Sequence, residues 1–262
     1  TIARIRVLAG EPYGMLLVTG PTGSGKSTTL YAALSETNTG EKKIITIEDP
    51  VEYELPGVLQ IPVNDKKGLT FARGLRSILR HDPDTILVGE IRDGETAGIA
   101  VQAALTGHLV LSSVHANSAF SVLERFTYMD VDPASFVEAL NGVVAQRLVR
   151  RICPDCGVDA EPDPDIAHLA QLSDAQRQQG HYRVGKGCEA CRHTGYRGRL
   201  ALAEVLTLTD SIKEGLLNRS SASTLRELAR EAGHVFIRDI ALAHAAQGDT
   251  TLKEIHRVIS LY

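Results

Sequence analysis

Short apolar runs alternate with helical patterns along the first half of the chain. Four of these runs are predicted strands: residues 15–19, 44–47, 86–88 and 109–114. Three helices are predicted between them: residues 27–34, 71–79 and 95–105. Asp93 stands where the last of these helices begins, and Gly107 where it ends. Because short strands that are apolar throughout belong to sheets buried on both faces, the pattern predicts an α/β fold in which helices cover a parallel sheet.

The pattern changes after Pro133. Residues 136–151 predict one long helix that ends in a basic turn. The first of two cysteine pairs follows at once, so we place a boundary near Arg151. Residues 158–187 combine acidic residues, prolines and a polar Gln/Arg run, which is typical of a solvated excursion.

From Thr209 onward the chain is predicted to be helical again. Thr224 and Thr251 are each followed three residues later by Glu, which is the spacing of a capping box at a helix start. Gly233 and Gly248 stand where helices are expected to stop. These signals predict several short helices at the end of the chain.

Length and charge restrict the classes of protein to consider. The chain has 262 residues, 43% of them hydrophobic, which is enough for one sizeable core with smaller attached units. The net charge of -4 gives no bulk basic excess, so we predict no nucleic-acid partner, although a local basic patch stays open. No apolar run reaches the roughly 18 residues of a membrane span. Because little sequence precedes the first strand, we expect a further N-terminal part.

A P-loop follows the first predicted strand and leads into the first predicted helix. It matches the pattern G-x-x-x-x-G-K-[ST] over eight residues: Gly20, Pro21, Thr22, Gly23, Ser24, Gly25, Lys26 and Ser27. Glycines let successive N–H groups surround phosphate oxygens, and we include Thr28 in this binding set. Lys26 is expected to reach the β and γ phosphates and Ser27 to hold Mg²⁺. The strand and helix favour phosphate binding over an ordinary glycine-rich turn.

Acidic residues stand at the ends of two predicted strands. Glu90 ends the run 85–89, at the position of a Walker B acid, and Glu48, Asp49 and Glu52 follow the strand 44–47. Ligands of parallel sheets bind at the carboxyl ends of the strands. Solvated turn residues are the alternative, but the nearby P-loop favours catalytic roles for Glu48 and Glu90.

Histidines and arginines add further candidates. His108 and His115 flank the strand 109–114, and His115 lies at its carboxyl end, where it could sense a γ-phosphate or serve a structural role. Arg73, Arg76 and Arg80 share one helix face by their spacing. That face is either a solvated basic surface or a source of arginine fingers for a neighbouring subunit.

The four cysteines form two Cys-x-x-Cys pairs separated by 31 residues. The pairs are Cys153 with Cys156 and Cys188 with Cys191, and each has the reach for two thiolates on one tetrahedral zinc ion. The loop is longer than is usual for such sites, so free thiols or a redox pair stay open. A four-thiolate zinc site would be structural and would hold together a lobe with a small core.

Taken together, these motifs resemble one family, the secretion and type IV pilus assembly ATPases, and especially the type II secretion ATPase. Residues 17–27 resemble its Walker A motif, 47–53 its Asp box, 87–93 its Walker B motif and 107–115 its His box. The cysteine pairs with residues 194–199 resemble its metal-binding subdomain. The resemblance extends from about residue 14 to residue 262.

The resemblance implies the C-terminal ATPase domain of a hexameric, RecA-like motor that uses ATP and Mg²⁺. Such a motor lies at the cytoplasmic face of the inner membrane and drives pseudopilus assembly and protein export through inner-membrane platform proteins. It implies Glu48 and Glu90 as paired acids and His115, with His108 as a second candidate, as a phosphate sensor. It also implies that Arg73 and Arg76 contact phosphate or a neighbouring subunit. Without the family's N-terminal domain, the chain is expected to bind nucleotide and hydrolyse it weakly.

With this family in view, we divide the chain into three parts: a RecA-like P-loop core (1–151), a tetracysteine zinc subdomain (152–199) and a C-terminal helical subdomain (200–262). The runner-up function is pilus extension. Pilus retraction motors typically lack the cysteine pairs, and no ABC-transporter signature is present. A different class is a nucleotide-gated assembly protein whose hydrolysis is incidental.

Overall fold

The structure, a computed structural model, describes residues 1–260. The chain forms two compact units. The first unit comprises Thr1–Ala145 and Val205–His234, and the second comprises Gln146–Glu204 and the described chain from Val235. None of the helices in the described part of the chain is both long and apolar enough to cross a membrane.

The first unit contains the P-loop and most of the sheet. Its elements, in chain order, are α1 Ile2–Ala9, β1 Gly14–Thr19, α2 Lys26–Thr37, β2 Ile44–Glu48, β3 Leu59–Pro62, α3 Phe71–Ile78, β4 Thr85–Val88, α4 Gly94–Leu105, β5 Leu109–Val114, α5 Ala119–Tyr128 and α6 Pro133–Ala139. The strand β6 Leu140–Ile152 follows and passes into the second unit.

The second unit contains β7 Gly157–Asp159, α7 Pro164–Leu169, α8 Asp174–Gln179 and β8 Arg183–Gly185. The strand β9 Tyr196–Thr207 then returns to the first unit, which also holds α9 Asp210–Leu217 and α10 Ala222–Glu231. Two last helices, α11 Ile237–Ala246 and α12 Leu252–Val258, belong to the second unit. The three-part division made from the sequence stays a prediction, and the two compact units run across its boundaries.

The main sheet has seven strands in the order β3-β2-β4-β5-β1-β6-β9. The pairs β1–β5, β1–β6, β2–β3, β2–β4 and β4–β5 are all parallel. Every residue of β1, β2, β4 and β5 is buried, as expected for a sheet covered on both faces. The four predicted strands and the α/β fold are therefore confirmed, and these strands lie side by side in the sheet.

The long helix predicted over residues 136–151 is wrong. The helix α6 ends at Ala139, and β6 begins at Leu140 and pairs with β1, so that Val143 and Val144 lie opposite Leu17 and Val18. Adjacent β-branched valines favour an extended backbone. Nearly all of the segment that pairs with β1 is buried. Its sequence therefore shows neither the alternation of a half-buried strand nor the apolar stripe of an amphipathic helix, and the pattern cannot tell a strand from a helix.

Residues 158–187, predicted as a solvated excursion, are mostly exposed, but the segment is folded rather than irregular. This segment forms β7, α7, α8 and β8, and β7 pairs with β8 in an antiparallel ribbon. Ala167, Ala170, Leu172 and Tyr182 are buried in the core of the second unit. Widely spaced apolar residues in a polar segment therefore supply core contacts that composition alone does not indicate.

The C-terminal helices are confirmed, with one change in a helix start. Thr251 caps α12 by accepting a hydrogen bond from the Glu254 N–H group, as predicted. The helix α10 begins earlier than predicted, because its cap is Ser221 and Thr224 lies in its first turn. Gly233 and Gly248 follow α10 and α11 with positive φ, as expected for helix stops.

Glu254 is a buried carboxylate that links three parts of the second unit. Its side chain is fully buried, and it accepts hydrogen bonds from Arg150 on β6 and from Arg257 one turn along α12, each at 2.7 Å. The Arg150 guanidinium also lies over the Tyr196 ring, 4.2 Å from its centroid. Burial by itself would raise the pKa of Glu254, but the hydrogen bonds from Arg257 and Arg150 outweigh it and lower the pKa to about 2.

We expect Glu254→Gln to reduce the free energy of unfolding by an amount that depends on pH. The ionised form stabilises the folded state fully above about pH 4.5, and this contribution is lost as the pH falls through the folded-state pKa of about 2. The difference between 4.5 and about 2 corresponds to roughly 3 kcal/mol near neutral pH. Urea denaturation from pH 7 to pH 2 measures the difference in the free energy of unfolding between the parent protein and the variant.

Glu231→Gln is the matched control, because Glu231 is exposed at the end of α10. Its free energy of unfolding should differ little from that of the parent protein, and the difference should be nearly constant with pH. An equal pH-dependent loss of unfolding free energy in both variants would contradict the role of Glu254.

Candidate functional site

A cleft of about 630 Å³ lies in the first unit at the carboxyl ends of β1, β2, β4 and β5. Its lining includes four side chains singled out from the sequence: Lys26, Glu48, Glu90 and His115. Glu48 ends β2, Glu90 follows β4 and His115 follows β5. Lys26 begins α2, after the loop from β1. Parallel pairing therefore brings residues from four distant segments to one edge.

The loop between β1 and α2 has the backbone that its glycines predict. Gly20, Gly23 and Gly25 have positive φ, and Gly25 caps α2 in the left-handed conformation with φ 89°. The Nζ atom of Lys26 donates to the carbonyl oxygens of Gly20 at 2.9 Å and Pro21 at 3.1 Å. The loop thus places an ammonium group beside the N-terminus of a helix, an arrangement that attracts anions.

Most of the predicted phosphate-binding set lines the cleft. Six members do so: Thr22, Gly23, Gly25, Lys26, Ser27 and Thr28. Gly20, Pro21 and Ser24 belong to the loop but are not part of that lining, and Ser24 is buried. The lining groups are those with a direct path to a ligand.

Glu48 ends β2 and is only 4% exposed. Its carboxylate accepts hydrogen bonds from the hydroxyls of Tyr31 and Thr46 and, at 3.1 Å, from the side-chain amide of Gln60. A buried carboxylate with three donors is held in one orientation. Sequence reasoning identified Glu48 but missed the three residues that hold it.

Glu90 follows β4 and is held by two neighbours. Its Oε1 atom lies 3.1 Å from Nε2 of His115, and its Oε2 atom accepts a hydrogen bond of 2.8 Å from Nε of Arg92. The Nη1 atom of Arg92 also lies 3.5 Å from Oδ2 of Asp49. Sequence reasoning missed Arg92, although the residue lies within the motif that identified Glu90.

Gly89 allows the two acid-bearing strands to approach each other. A Cβ atom at this position would lie 3.2 Å from the Cα atom of Glu48 and 3.3 Å from the carbonyl oxygen of Ile47. The Gly89 N–H group donates to that same oxygen at 2.8 Å. The absent side chain therefore keeps the backbones that carry Glu48 and Glu90 in contact.

Other candidates lie outside this cleft. Arg73 donates to the Gly68 carbonyl oxygen, and Arg76 forms an exposed ion pair of 2.7 Å with Glu95. Neither arginine is among the lining residues of the cleft. His108 precedes β5, so it lies about 20 Å from His115 along the strand.

The four cysteines form a cluster in the second unit, with all sulfur atoms within 4.8 Å of one another. Cys153 and Cys188 are 3.9 Å apart, and Cys191 lies 3.8 Å from both Cys156 and Cys188. Four ligands at about 2.3 Å from one tetrahedral zinc ion lie about 3.8 Å apart, nearly twice the S–S length of a disulfide. The cluster therefore has the ligand type, number and spacing of a zinc site.

Backbone N–H groups donate to two of the four sulfur atoms. Cys191 Sγ accepts from the N–H groups of Cys188 at 3.2 Å and Gly195 at 3.3 Å, and Cys156 Sγ accepts from that of Gly187 at 3.3 Å. The hydrogen bond from the Cys188 backbone is the main cause that lowers the pKa of Cys191 to about 6, whereas burial raises the pKa of Cys156 to about 12. A thiolate is the form in which cysteine binds a metal ion.

Comparison with known proteins gives one family over nearly the whole chain. The family model described as "Type II/IV secretion system protein" matches residues 2–257. The chain is 48% identical over 252 residues to the type IV pilus assembly ATPase PilB of Thermus thermophilus, covering 96% of this chain and 28% of that protein. It is 47% identical over 255 residues to the type II secretion system ATPase E of Vibrio cholerae, covering 97% and 50%.

Solved structures agree on the fold. The pilus retraction motor PilT with bound ADP matches with a TM-score of 0.73 and 28% identity, covering 98% of this chain and 64% of that chain. The Legionella pneumophila ATPase DotB, at 22% identity and a TM-score of 0.69, has a similar fold. The chain spans half or less of the two curated relatives described above.

We expect Gly25→Ala to lower the free energy of unfolding by about 1 kcal/mol, because alanine is strained in the left-handed conformation. Gly98→Ala is the matched control. Gly98 lies inside α4 without positive φ, and a Cβ atom there would meet nothing within 4 Å. Alanine should therefore raise the free energy of unfolding by about 0.5–1 kcal/mol at this site. Urea denaturation of both variants measures the two effects, and a stabilised Gly25→Ala protein would contradict the loop conformation.

Proposed function

The chain belongs to the type II/IV secretion system protein family, and on this premise we propose that it is the ATP-hydrolysing domain of a type II secretion motor. In this role it drives pseudopilus assembly and protein export across the outer membrane. The observation that carries the proposal is the cleft in which the P-loop meets Glu48, Glu90 and His115. A phosphate site flanked by two carboxylates suits hydrolysis better than binding alone.

In the proposed reaction, the P-loop residues of the cleft bind the phosphates of ATP. The N–H groups from Gly23 to Thr28 and the Lys26 ammonium bind the phosphate oxygens of ATP. Ser27 would hold Mg²⁺, which would supply positive charge beside the phosphates. The Lys26 ammonium must exchange the carbonyl oxygens of Gly20 and Pro21 for phosphate oxygens, a change that a flexible four-carbon side chain permits.

Glu48 and Glu90 are the paired acids of the proposed reaction. Glu48 is fixed by three donors and orients the attacking water. Glu90 is held between His115 and Arg92, so a phosphate that attracts either side chain changes the position of this acid. His115 is accordingly the group that senses the γ-phosphate.

The proposed assembly is a homohexamer at the cytoplasmic face of the inner membrane. Its proposed partners are inner-membrane platform proteins and an N-terminal domain of the same protein. Arg73 and Arg76 serve a neighbouring subunit in this assembly, because both are exposed on α3 outside the cleft of their own chain. The ion pair of Arg76 with Glu95 is exposed and therefore weak, so the arginine can change partners at little cost.

Pilus extension is the second candidate function. The 48% identity to a pilus assembly ATPase favours it as strongly as the 47% identity to a secretion ATPase favours the first. Crosslinking in cells, followed by identification of attached membrane proteins, separates them. Secretion-platform proteins support the first function, and pilus-platform proteins support the second.

Zinc is the metal that we propose for the four cysteines. Four thiolates close the coordination shell, so the ion has a structural role. The ion joins the turn that carries Cys153 and Cys156 to the turn that carries Cys188 and Cys191. The first turn precedes β7 and the second follows β8, so the two turns flank the β7–β8 ribbon. A ribbon of two three-residue strands has little core of its own, so such a crosslink stabilises it.

Lys26→Ala is expected to lower the rate of ATP hydrolysis by about 100-fold or more in the longest natural protein that contains this chain. The reason is that the substitution removes the positive charge that stabilises the transferred phosphate. Phosphate release in the presence of Mg²⁺ measures the rate. Lys66→Ala is the matched control, since Lys66 is exposed and is not part of the cleft lining. If the parent protein hydrolyses ATP no faster than Lys26→Ala, the proposed function fails.

Protein purified without chelator is expected to contain about one zinc ion per chain by elemental analysis. Cys188→Ser should reduce this content and lower the melting temperature, because three thiolates bind the ion less tightly than four. In the parent protein, a chelator should lower the melting temperature, and added zinc but not magnesium should restore it. A metal-free protein with an unchanged melting temperature would refute the zinc site.

A further inference from the structure

Tyr31, on the helix that follows the P-loop, contacts the end of β2 and the loop that follows this strand. The residue is on α2, four positions after Ser27, and it is 1% exposed. Its hydroxyl donates to Glu48 and accepts a hydrogen bond of 3.2 Å from the Glu52 N–H group. Burial is the main cause that raises the pKa of Tyr31 to about 12, so the hydroxyl keeps its proton and remains a donor.

The segment between β2 and β3 is fastened to the same point. The Tyr53 ring meets the Tyr31 ring edge to face, with centroids 4.7 Å apart. Gln60 donates to Glu48 at 3.1 Å and to the Tyr53 carbonyl oxygen at 3.2 Å, and it accepts from the Leu55 N–H group at 2.7 Å. One small polar cluster therefore connects α2, the end of β2, the following loop and β3.

We infer that Tyr31 is a positioning residue of the cleft: its hydroxyl fixes Glu48 and the loop over residues 49–55 relative to the helix that begins at the P-loop. The inference rests on the proposed function for its effect on catalysis. Tyr31 itself touches no reacting atom, and it acts through Glu48. Any shift of α2 when phosphates bind is transmitted through this hydroxyl to the acid and to the loop that lines the cleft.

The hydroxyl, rather than the ring, carries this role. Phenylalanine would keep the packing against Tyr53 but would leave one oxygen of a buried carboxylate without its donor. The substitution changes none of the other titratable or charged residues that line the cleft with Glu48: Lys26, Asp49, Glu52, Tyr53, Glu90, Arg92 and His115.

Tyr31→Phe in the longest natural protein that contains this chain tests the inference. We expect kcat for ATP hydrolysis to fall at least tenfold, while the Kd of a non-hydrolysable ATP analogue changes less than twofold. Hydrogen exchange should become faster at the amides of residues 49–55, because the Glu52 N–H group loses its acceptor.

Tyr128→Phe is the matched control, because Tyr128 is 88% exposed and lies outside the cleft lining. It should leave kcat and hydrogen exchange unchanged. Unchanged kcat and unchanged exchange in Tyr31→Phe would overturn the inference. If the parent protein hydrolyses ATP no faster than Lys26→Ala, the proposed function fails, and the exchange of residues 49–55 still decides whether Tyr31 positions the loop.

Discussion

The parallel alignment of β2, β4, β5 and β1 is the constraint on which the cleft depends. Each of these strands is buried along its whole length, so its register cannot slip without moving apolar side chains out of the core. Parallel strands also end at the same edge. Glu48, Glu90, His115 and the P-loop thus meet because four hydrophobic strands share one direction and one register.

Charge balance explains why so many acidic groups can lie together at that edge. Glu48 accepts hydrogen bonds from uncharged donors, whereas Glu90 and Asp49 share the Arg92 guanidinium. The first arrangement is rigid and buried, and the second is more open to solvent and able to exchange partners. The two acids of the cleft therefore differ in how firmly they are held. Glu48 has a fixed position, and Glu90 lies between two exposed side chains, Arg92 and His115.

The second unit is held together in a different way. Its core consists largely of small and aliphatic residues from α11, α12, β6 and β9, and the fully buried Glu254 ties α12 to β6. A carboxylate at 0% exposure persists there because two arginines and a backbone N–H group satisfy it. The cysteine cluster joins turns that have few apolar contacts. Ionic and thiolate groups thus supplement a limited hydrophobic core.

The sequence by itself determined the local features whose causes are local. The P-loop glycines, the four buried strands, the Asp93 and Thr251 caps and the cysteine pairs all follow from backbone sterics, apolar runs or ligand spacing. Pattern reasoning failed at β6, where buried residues on both faces hide the period. At residues 158–187 it gave the exposure but missed the short helices and strands, because the few buried residues are widely spaced along the chain. Arg92, Tyr31 and Gln60 entered the site only with the tertiary structure. Tyr31 and Gln60 meet Glu48 from another helix and another strand, and Arg92 meets Asp49 as well as the nearby Glu90. No pattern within one segment records a contact that is made when distant segments pack together.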